Sequence, residues 1–232
     1  MRVALLSDIH GNGPALQAVL KAAASLGASQ LLVAGDLVGY YNEVLDVFEM
    51  LGRWRVSAVR GNHEELLTAA AADSSLIAGI RSRYGSGIET ALAKLAPESL
   101  AWLMGLPHPL ALELCGRRIL LCHGSPWRVD EYIYPDAPDE VWDRLATVDA
   151  DVVVIGHTHY PLSRTCSRVV VVNPGSVGQP RNRVPGAHWA LLDLGTLTIE
   201  QRVENYDISA FADRVRGDDP MNRYLADVLE RT

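Results

Sequence analysis

Val3-Ala4-Leu5-Leu6-Ser7-Asp8-Ile9-His10-Gly11-Asn12-Gly13-Pro14 is an apolar run that ends in polar residues and hands over to a helix start. Val3 to Leu6 has the length of a buried strand. Asn12-Gly13-Pro14 offers a cap followed by proline at the first helical turn, and from Ala15 to Leu26 apolar residues recur at helical spacing. The same unit returns with a strand at Leu31 to Ala34 and a helix from about Glu43 to Leu51. A strand from about Val56 to Val59 and helical sequence from about His63 follow. Strands alternating with helices imply a parallel sheet.

Further along, strands dominate. Leu110 to Leu114, Arg118 to Cys122, Val152 to Ile155, Val169 to Val172, His188 to Leu194 and Thr198 to Val203 read as strands, with turns at Gly116 and Gly195. One helix, roughly Asp139 to Ala146, interrupts them. A βαβα half followed by a strand-rich half predicts an α/β fold in which two sheets pack face to face beneath outer helices, burying both sets of apolar faces. The Ala-rich stretch 69–106 is helix-prone, broken near Gly85-Ser86-Gly87 and restarted at Pro97-Glu98, and is expected as a helical layer or a cap-like segment. The tail 208–232 reads as two short polar helices, the second opened by Asp219-Pro220. No repeat or low-complexity linker divides the 232 residues, so 1–232 is expected as one domain.

Composition narrows the function classes. A formal charge of −7 argues against stable nucleic-acid binding or adhesion to anionic lipid, because no basic surplus exists to neutralise phosphates. The longest apolar runs fall far short of the roughly 20 residues needed to span a bilayer. Three cysteines at unrelated spacings, Cys115, Cys122 and Cys166, with a strand at the very start, suggest reduced thiols and a cytoplasmic protein.

The chemistry-bearing residues follow strands. Asp8 and His10 are two apart after the first, and on extended backbone they would face one ion; taken alone, the better reading is Asp8 as a helix cap beside a surface His10. Gly35-Asp36 ends the second strand, at the carboxyl edge where open α/β sheets bind ligands. Gly61-Asn62-His63-Glu64 ends the third, with Asn62 read singly as a cap; His123 and then Gly156-His157-Thr158-His159 end later ones. Five of the seven histidines, His10, His63, His123, His157 and His159, directly follow strand-like runs. One such histidine is ordinary core; the repeated placement of His and Asp at one sheet edge points to metal. Asp, Asn and His donors without thiolate suit Mn²⁺, Fe or Zn²⁺, and Cys122 is read as a core thiol.

In order, Asp8-Ile9-His10, Gly35-Asp36, Gly61-Asn62-His63-Glu64, His123-Gly124 and Gly156-His157-Thr158-His159 resemble the full motif series of calcineurin-like metallophosphoesterases. The segment Asn173-Pro174-Gly175-Ser176-Val177-Gly178-Gln179-Pro180-Arg181 is similar to the loop after the last motif in small bacterial members. The resemblance implies a four-layer αββα sandwich of two mixed sheets flanked by helices. It also implies two divalent ions, Mn first among Fe, Zn, Ni and Mg. Asp8, His10 and His159 would hold one ion and Asn62, His123 and His157 the other, with Asp36 bridging. Two carboxylates against two divalent cations leave a local charge of about +2 for a phosphate. A hydroxide shared by the ions would be the nucleophile, and His63, with Asp36 polarising it as the second catalytic residue, would protonate the leaving oxygen or orient the phosphate.

Departures refine the substrate. Asp36 is followed by Leu37-Val38-Gly39-Tyr40-Tyr41-Asn42, without the arginine that phosphoprotein phosphatases carry there and shorter than in the small bacterial members. Tyr40 and Asn42 are therefore candidate substrate contacts; Arg181 is another, carried by the glycine-rich loop before it, and reads equally as one half of a surface salt bridge. Glu64 stands where the family often has Asp, and reads either as an orienter of His63 or as first-turn helix charge. Trp127 and Arg128 read as a surface pair before a nucleotide wall. The expectation is a hydrolase, a phosphodiesterase acting on small phosphodiesters or nucleotides. The alternatives are a phosphomonoesterase or a scaffold that keeps the fold, and a homo-oligomer fits any of these.

Overall fold

The computed structural model describes residues 1–232. Ten strands and nine α-helices make up the chain, alternating at first: β1 (Arg2–Leu6), α1 (Gly13–Ser25), β2 (Ala28–Val33), α2 (Val44–Leu51), β3 (Val56–Ala58), α3 (Asn62–Ala72), followed by α4 (Ile77–Tyr84), α5 (Gly87–Lys94) and α6 (Pro97–Met104). Then come β4 (Leu110–Leu114), β5 (Arg117–Leu121), α7 (Asp139–Ala146), β6 (Val152–Val154), β7 (Leu162–Cys166), β8 (Val169–Asn173), β9 (Ala187–Asp193), β10 (Thr198–Glu204), α8 (Ile208–Asp218) and α9 (Tyr224–Asp227). No helix is long and apolar enough to cross a membrane.

The strands form two mixed sheets, ordered β10-β9-β1-β2-β3 and β4-β5-β6-β8-β7. In the first, β1, β2 and β3 run parallel and β9 pairs antiparallel with β1. In the second, β5, β6 and β8 are parallel, flanked by antiparallel β4 and β7. Side-chain alternation along single strands makes the layers. Ala4 and Leu6 enter the core under α1 to α3, whereas Val3 and Leu5 enter the core between the sheets. Val152 and Val154 meet them from the second sheet, while Val153 faces outward onto Trp142 and Leu145 of α7. Burying each such Val or Leu contributes about 1.5–3 kcal/mol, so two-sided apolar strands fix the four-layer αββα sandwich.

The segment 69–106 forms a helical layer and not a separate cap: Ile88, Ala91, Leu95 and Leu103 lie in the same core cluster as β1 and β2. Three local expectations change. Strand β7 was not foreseen, because Ser163, Arg164 and Thr165 are exposed on a sheet edge and only its end residues are buried. In the tail, Asp219-Pro220 does not open the last helix, which starts at Tyr224. Asp219 Oδ2 instead accepts the Ser86 amide (2.9 Å) and hydroxyl (2.6 Å) at the head of α5. The tail helices are also less polar than they read: Phe211, Val215, Leu225 and Leu229 form a core with Tyr40 and Tyr41.

Candidate metal centre

Every residue of the motif series sits where a strand ends. Asp8 and His10 follow β1, Asp36 follows β2, and Asn62 and His63 open α3 after β3. His123 follows β5, and His157 and His159 follow β6. The loops are not extended, as the two-apart argument for Asp8 and His10 had assumed. Asp8 (φ 54°), His10 (53°), Asp36 (54°), His157 (66°) and His159 (61°) all take left-handed backbone. Such conformations cost non-glycine residues about 1–3 kcal/mol each and persist where surroundings over-determine them. Cross-loop bonds do so here. Asp8 N–H donates to Gly35 O and His10 N–H to Asp36 O (3.0 and 2.9 Å). Glu64, buried, accepts the amides of Gly61 (2.7 Å), Leu37 (2.8 Å) and Asp36 (2.9 Å). Neither reading of Glu64 from sequence anticipated this clamp on the Asp36 loop. Burial, then the neighbouring Asp36 carboxylate, pushes Glu64 up to about 7 against the pull of those amides.

The donor atoms converge in two groups joined by Asp36. In the first, Asp8 Oδ1 lies 3.2 Å from His159 Nε2, and His10 Nε2 lies 3.2 Å from the same nitrogen. In the second, His123 Nε2 lies 3.1 Å from His157 Nδ1 and 3.1 Å from Asn62 Oδ1. Asp36 Oδ2 stands between, 3.7 Å from His10 Nε2 and 3.3 Å from His123 Nε2. Backbone carbonyls fix three of the rings: His10 Nδ1 faces Val38 O, His123 Nδ1 faces Ala34 O, and His159 Nδ1 faces Gln179 O. With Nδ1–H committed outward, each Nε2 turns its lone pair inward. Ser7 Oγ and the His157 amide donate to Asp8 Oδ2, yet no hydrogen bond reaches Asp8 Oδ1.

Facing imidazole lone pairs, a buried carboxylate oxygen without a donor and an amide oxygen suit hard to borderline divalent cations. Electrostatics agree. Burial opposes a charge on His123, but the Asp36 and Asp8 carboxylates carry it up to about 10, so a positive charge is favoured between them. Burial drives His157 down to about 4 and holds His10 well below the usual imidazole range, leaving both neutral for ligation.

His63 joins the edge of this set, a ring nitrogen within 4.8 Å of His10 and Asp36 donor atoms. Its backbone N–H donates to Asp36 Oδ1 (2.9 Å), and its ring packs 4.6 Å from His10 and 4.7 Å from Tyr40. Gly39 lies beneath both imidazoles at φ 139°, where any Cβ would overlap the Nδ1 atoms of His63 and His10.

Tyr40 and Arg181 line the cleft over the donors, and the Arg181 guanidinium donates to Tyr40 Oη (2.8 Å) and Gln179 Oε1 (3.0 Å). Asn42 is turned elsewhere, bonded to Ser86 Oγ and Thr90 Oγ1 outside the cleft. Trp127 is stacked by Arg144 at 3.4 Å, and Arg128 pairs with Asp130. Arg83, Tyr84, Tyr132 and Tyr224 also line the cleft, and none was singled out from sequence, because nothing in their local pattern marks them.

A calcineurin-like phosphoesterase superfamily domain matches residues 1–197. The chain belongs to that superfamily. The phosphodiesterase YfcE of Escherichia coli K12 is 28% identical over 209 residues, spanning 86% of this chain and 91% of that protein. A hypothetical protein of Pyrococcus horikoshii OT3 superposes with a TM-score of 0.84 at 25% identity, covering 99% of this chain and 98% of that one. A metallophosphoesterase of Sphaerobacter thermophilus superposes at 0.79 with 24% identity, covering 100% and 98%, and has the same fold. As a calcineurin-like phosphoesterase with buried His/Asp clusters, the protein is a phosphoester hydrolase that binds divalent metal.

Proposed function

We propose that the protein is a two-metal phosphodiesterase acting on small phosphodiesters. One observation carries this reading: the two close nitrogen pairs, His10 with His159 and His123 with His157, lie on either side of Asp36. Asp8, His10 and His159 would hold one ion and Asn62, His123 and His157 the other, with Asp36 touching both; Mn²⁺ is the first choice and Fe, Zn, Ni or Mg follow. Bound there, the cations would supply Lewis acidity toward the phosphoryl oxygens and toward water.

The chain's own groups do the rest. Arg181, held by neutral partners only, keeps its full charge for a phosphate oxygen. His63 lines the cleft beside the donors; its Nδ1 is buried over Gly39, so Nε2 is the nitrogen left to donate to the phosphoryl group or to its leaving oxygen. Two features support a diester over a monoester: the likeness to the Escherichia coli phosphodiesterase, and Leu37-Val38 after Asp36 where a phosphatase arginine would stand.

The test is hydrolysis of bis-p-nitrophenyl phosphate against p-nitrophenyl phosphate with Mn²⁺, Ni²⁺, Zn²⁺ and Mg²⁺. Metal-dependent turnover of the diester in excess is expected. Preference for the monoester would make the enzyme a phosphatase, and no turnover with any metal would leave the fold as a scaffold.

A further inference from the structure

The donor residues form the floor of the cleft, but its walls come from segments outside the motif series. α4 contributes Arg83 and Tyr84, the loop after β5 contributes Tyr132, and α9 contributes Tyr224, which lies beyond the matched family domain. The tail is built into this wall. Tyr41 Oη donates to Leu225 O (3.0 Å), Asp219 binds Ser86, and Gly85 is packed so closely against Leu225 that a Cβ there would overlap it. Tyr224 is thereby fixed relative to the α4–α5 junction.

The wall has a consistent chemistry. Arg81 pairs with Glu89 at 2.9 Å, whereas the cleft-facing Arg83 and Arg181 pair with no carboxylate, so two uncompensated guanidiniums overlook the site. Tyr132 and Tyr224 remain 54% and 42% exposed at the mouth. The Tyr132 ring sits 4.0 Å from the His157 ring and lies parallel to Tyr134 (6°, centroids 5.9 Å). The cleft encloses about 240 Å³, room for a phosphoryl group and an adjoining sugar-sized unit, so anything larger must reach out of it, and Tyr132 and Tyr224 are the lining rings most open to solvent.

We propose that Tyr132 and Tyr224 form a stacking subsite for the base of a nucleoside on one side of the scissile phosphodiester, while Arg181 and Arg83 take phosphate oxygens. The substrate class is then a nucleoside phosphodiester, and the tail carries the preference. This rests on the diesterase reading above. Exposed aromatics beside cations are the chemistry by which proteins hold nucleobases without reading their edges, so little discrimination among bases is expected.

The experiment compares thymidine 5′-(p-nitrophenyl phosphate) with methyl p-nitrophenyl phosphate, two diesters with one leaving group, using the full chain. The nucleoside ester is expected to be favoured about tenfold or more in kcat/KM, chiefly through KM. Tyr224→Ala and Tyr132→Ala are expected to bring that ratio close to one, and Tyr224→Phe to restore it. A second readout needs no turnover: calorimetric binding of thymidine 5′-monophosphate against ribose 5-phosphate, expected to differ about tenfold and to lose the difference in Tyr224→Ala. Turnover of both esters at equal efficiency, with equal binding of the two monophosphates, overturns the stacking subsite and leaves the diesterase reading standing. Tyrosine-dependent binding of the nucleotide without hydrolysis of either ester sustains the subsite and overturns the hydrolytic reading.

Discussion

His10 Nε2 and His159 Nε2 face each other across 3.2 Å, although their rings are carried by different sheets and each is locked from behind by a backbone carbonyl. Two lone pairs so placed repel unless a proton or a cation lies between them. A cation that binds the folded protein and not the unfolded chain stabilises it by mass action, about 2.7 kcal/mol at a hundredfold excess over Kd. Mn²⁺ is therefore expected to raise the melting temperature of the metal-free protein by roughly 5–10 °C. Asp36→Asn, which weakens the group shared by both clusters, is expected to shrink that shift and abolish hydrolysis. A melting temperature indifferent to every divalent ion would contradict the centre.

Glu64 carries the clamp on the Asp36 loop through bonds to the amides of Gly61, Asp36 and Leu37. Glu64→Gln keeps the size but replaces an accepting oxygen with an NH₂ that faces N–H donors, leaving buried amides unpaired. Loss of such charge-assisted bonds costs about 2–3 kcal/mol. Chemical denaturation is expected to show that loss, together with weaker metal binding as the left-handed Asp36 relaxes. Unchanged stability would mean the amides find other acceptors.

These two cases show what the sequence could reveal. The convergence of Asp8, Asp36, Asn62, His123, His157 and His159 was legible because each follows a strand, and strands two-sided in apolar residues, such as Val152 to Val154, announce the sandwich. Their backbone was not legible, since residue type says nothing of a positive φ imposed by bonds from another loop. The role of Glu64 depends on where the loop at 36–38 lies in space. Tyr132 and Tyr224 were missed for the same reason: each is an ordinary surface tyrosine until α9 and the loop after β5 meet over the cleft. Edge strand β7 lacked the apolar run that marks a strand, being exposed at Ser163, Arg164 and Thr165.

His188 sets a pH dependence away from the metal centre. It is buried, its Nε2 faces Val184 O at 2.8 Å, and burial lowers its pKa in the folded state. In the unfolded chain an imidazole titrates near about 6.5. Below that value the unfolded state binds a proton that the folded state refuses, so stability is full above about 6.5 and falls as the pH drops toward the lower folded value, by at most ~1.4 kcal/mol per pH unit. Urea midpoints measured from pH 7.5 to 5.5 are expected to fall less steeply in His188→Gln than in the wild type. Parallel slopes would show that His188 accepts its proton in the folded state.

His63 has two possible duties at the phosphate, and leaving groups separate them. If it protonates the departing oxygen, a substrate expelling p-nitrophenolate scarcely needs it, whereas one expelling an alkoxide does. If it orients the phosphoryl group through a hydrogen bond, both substrates need it alike. The structure favours orientation: the ring is packed between His10, Tyr40 and Tyr84, and burial lowers its pKa to about 4, so it is neutral near pH 7 and has a single N–H to donate. His63→Ala is expected to cost about a hundredfold in kcat on p-nitrophenyl and alkyl diesters equally, and His63→Gln, which can donate but not protonate, to recover part of both. A loss confined to the alkyl diester, with no recovery in His63→Gln, would instead assign His63 the proton. A general disturbance of the fold would also lower kcat on both substrates equally, so an unchanged melting temperature in His63→Ala and the partial recovery in His63→Gln are what assign an equal loss to orientation.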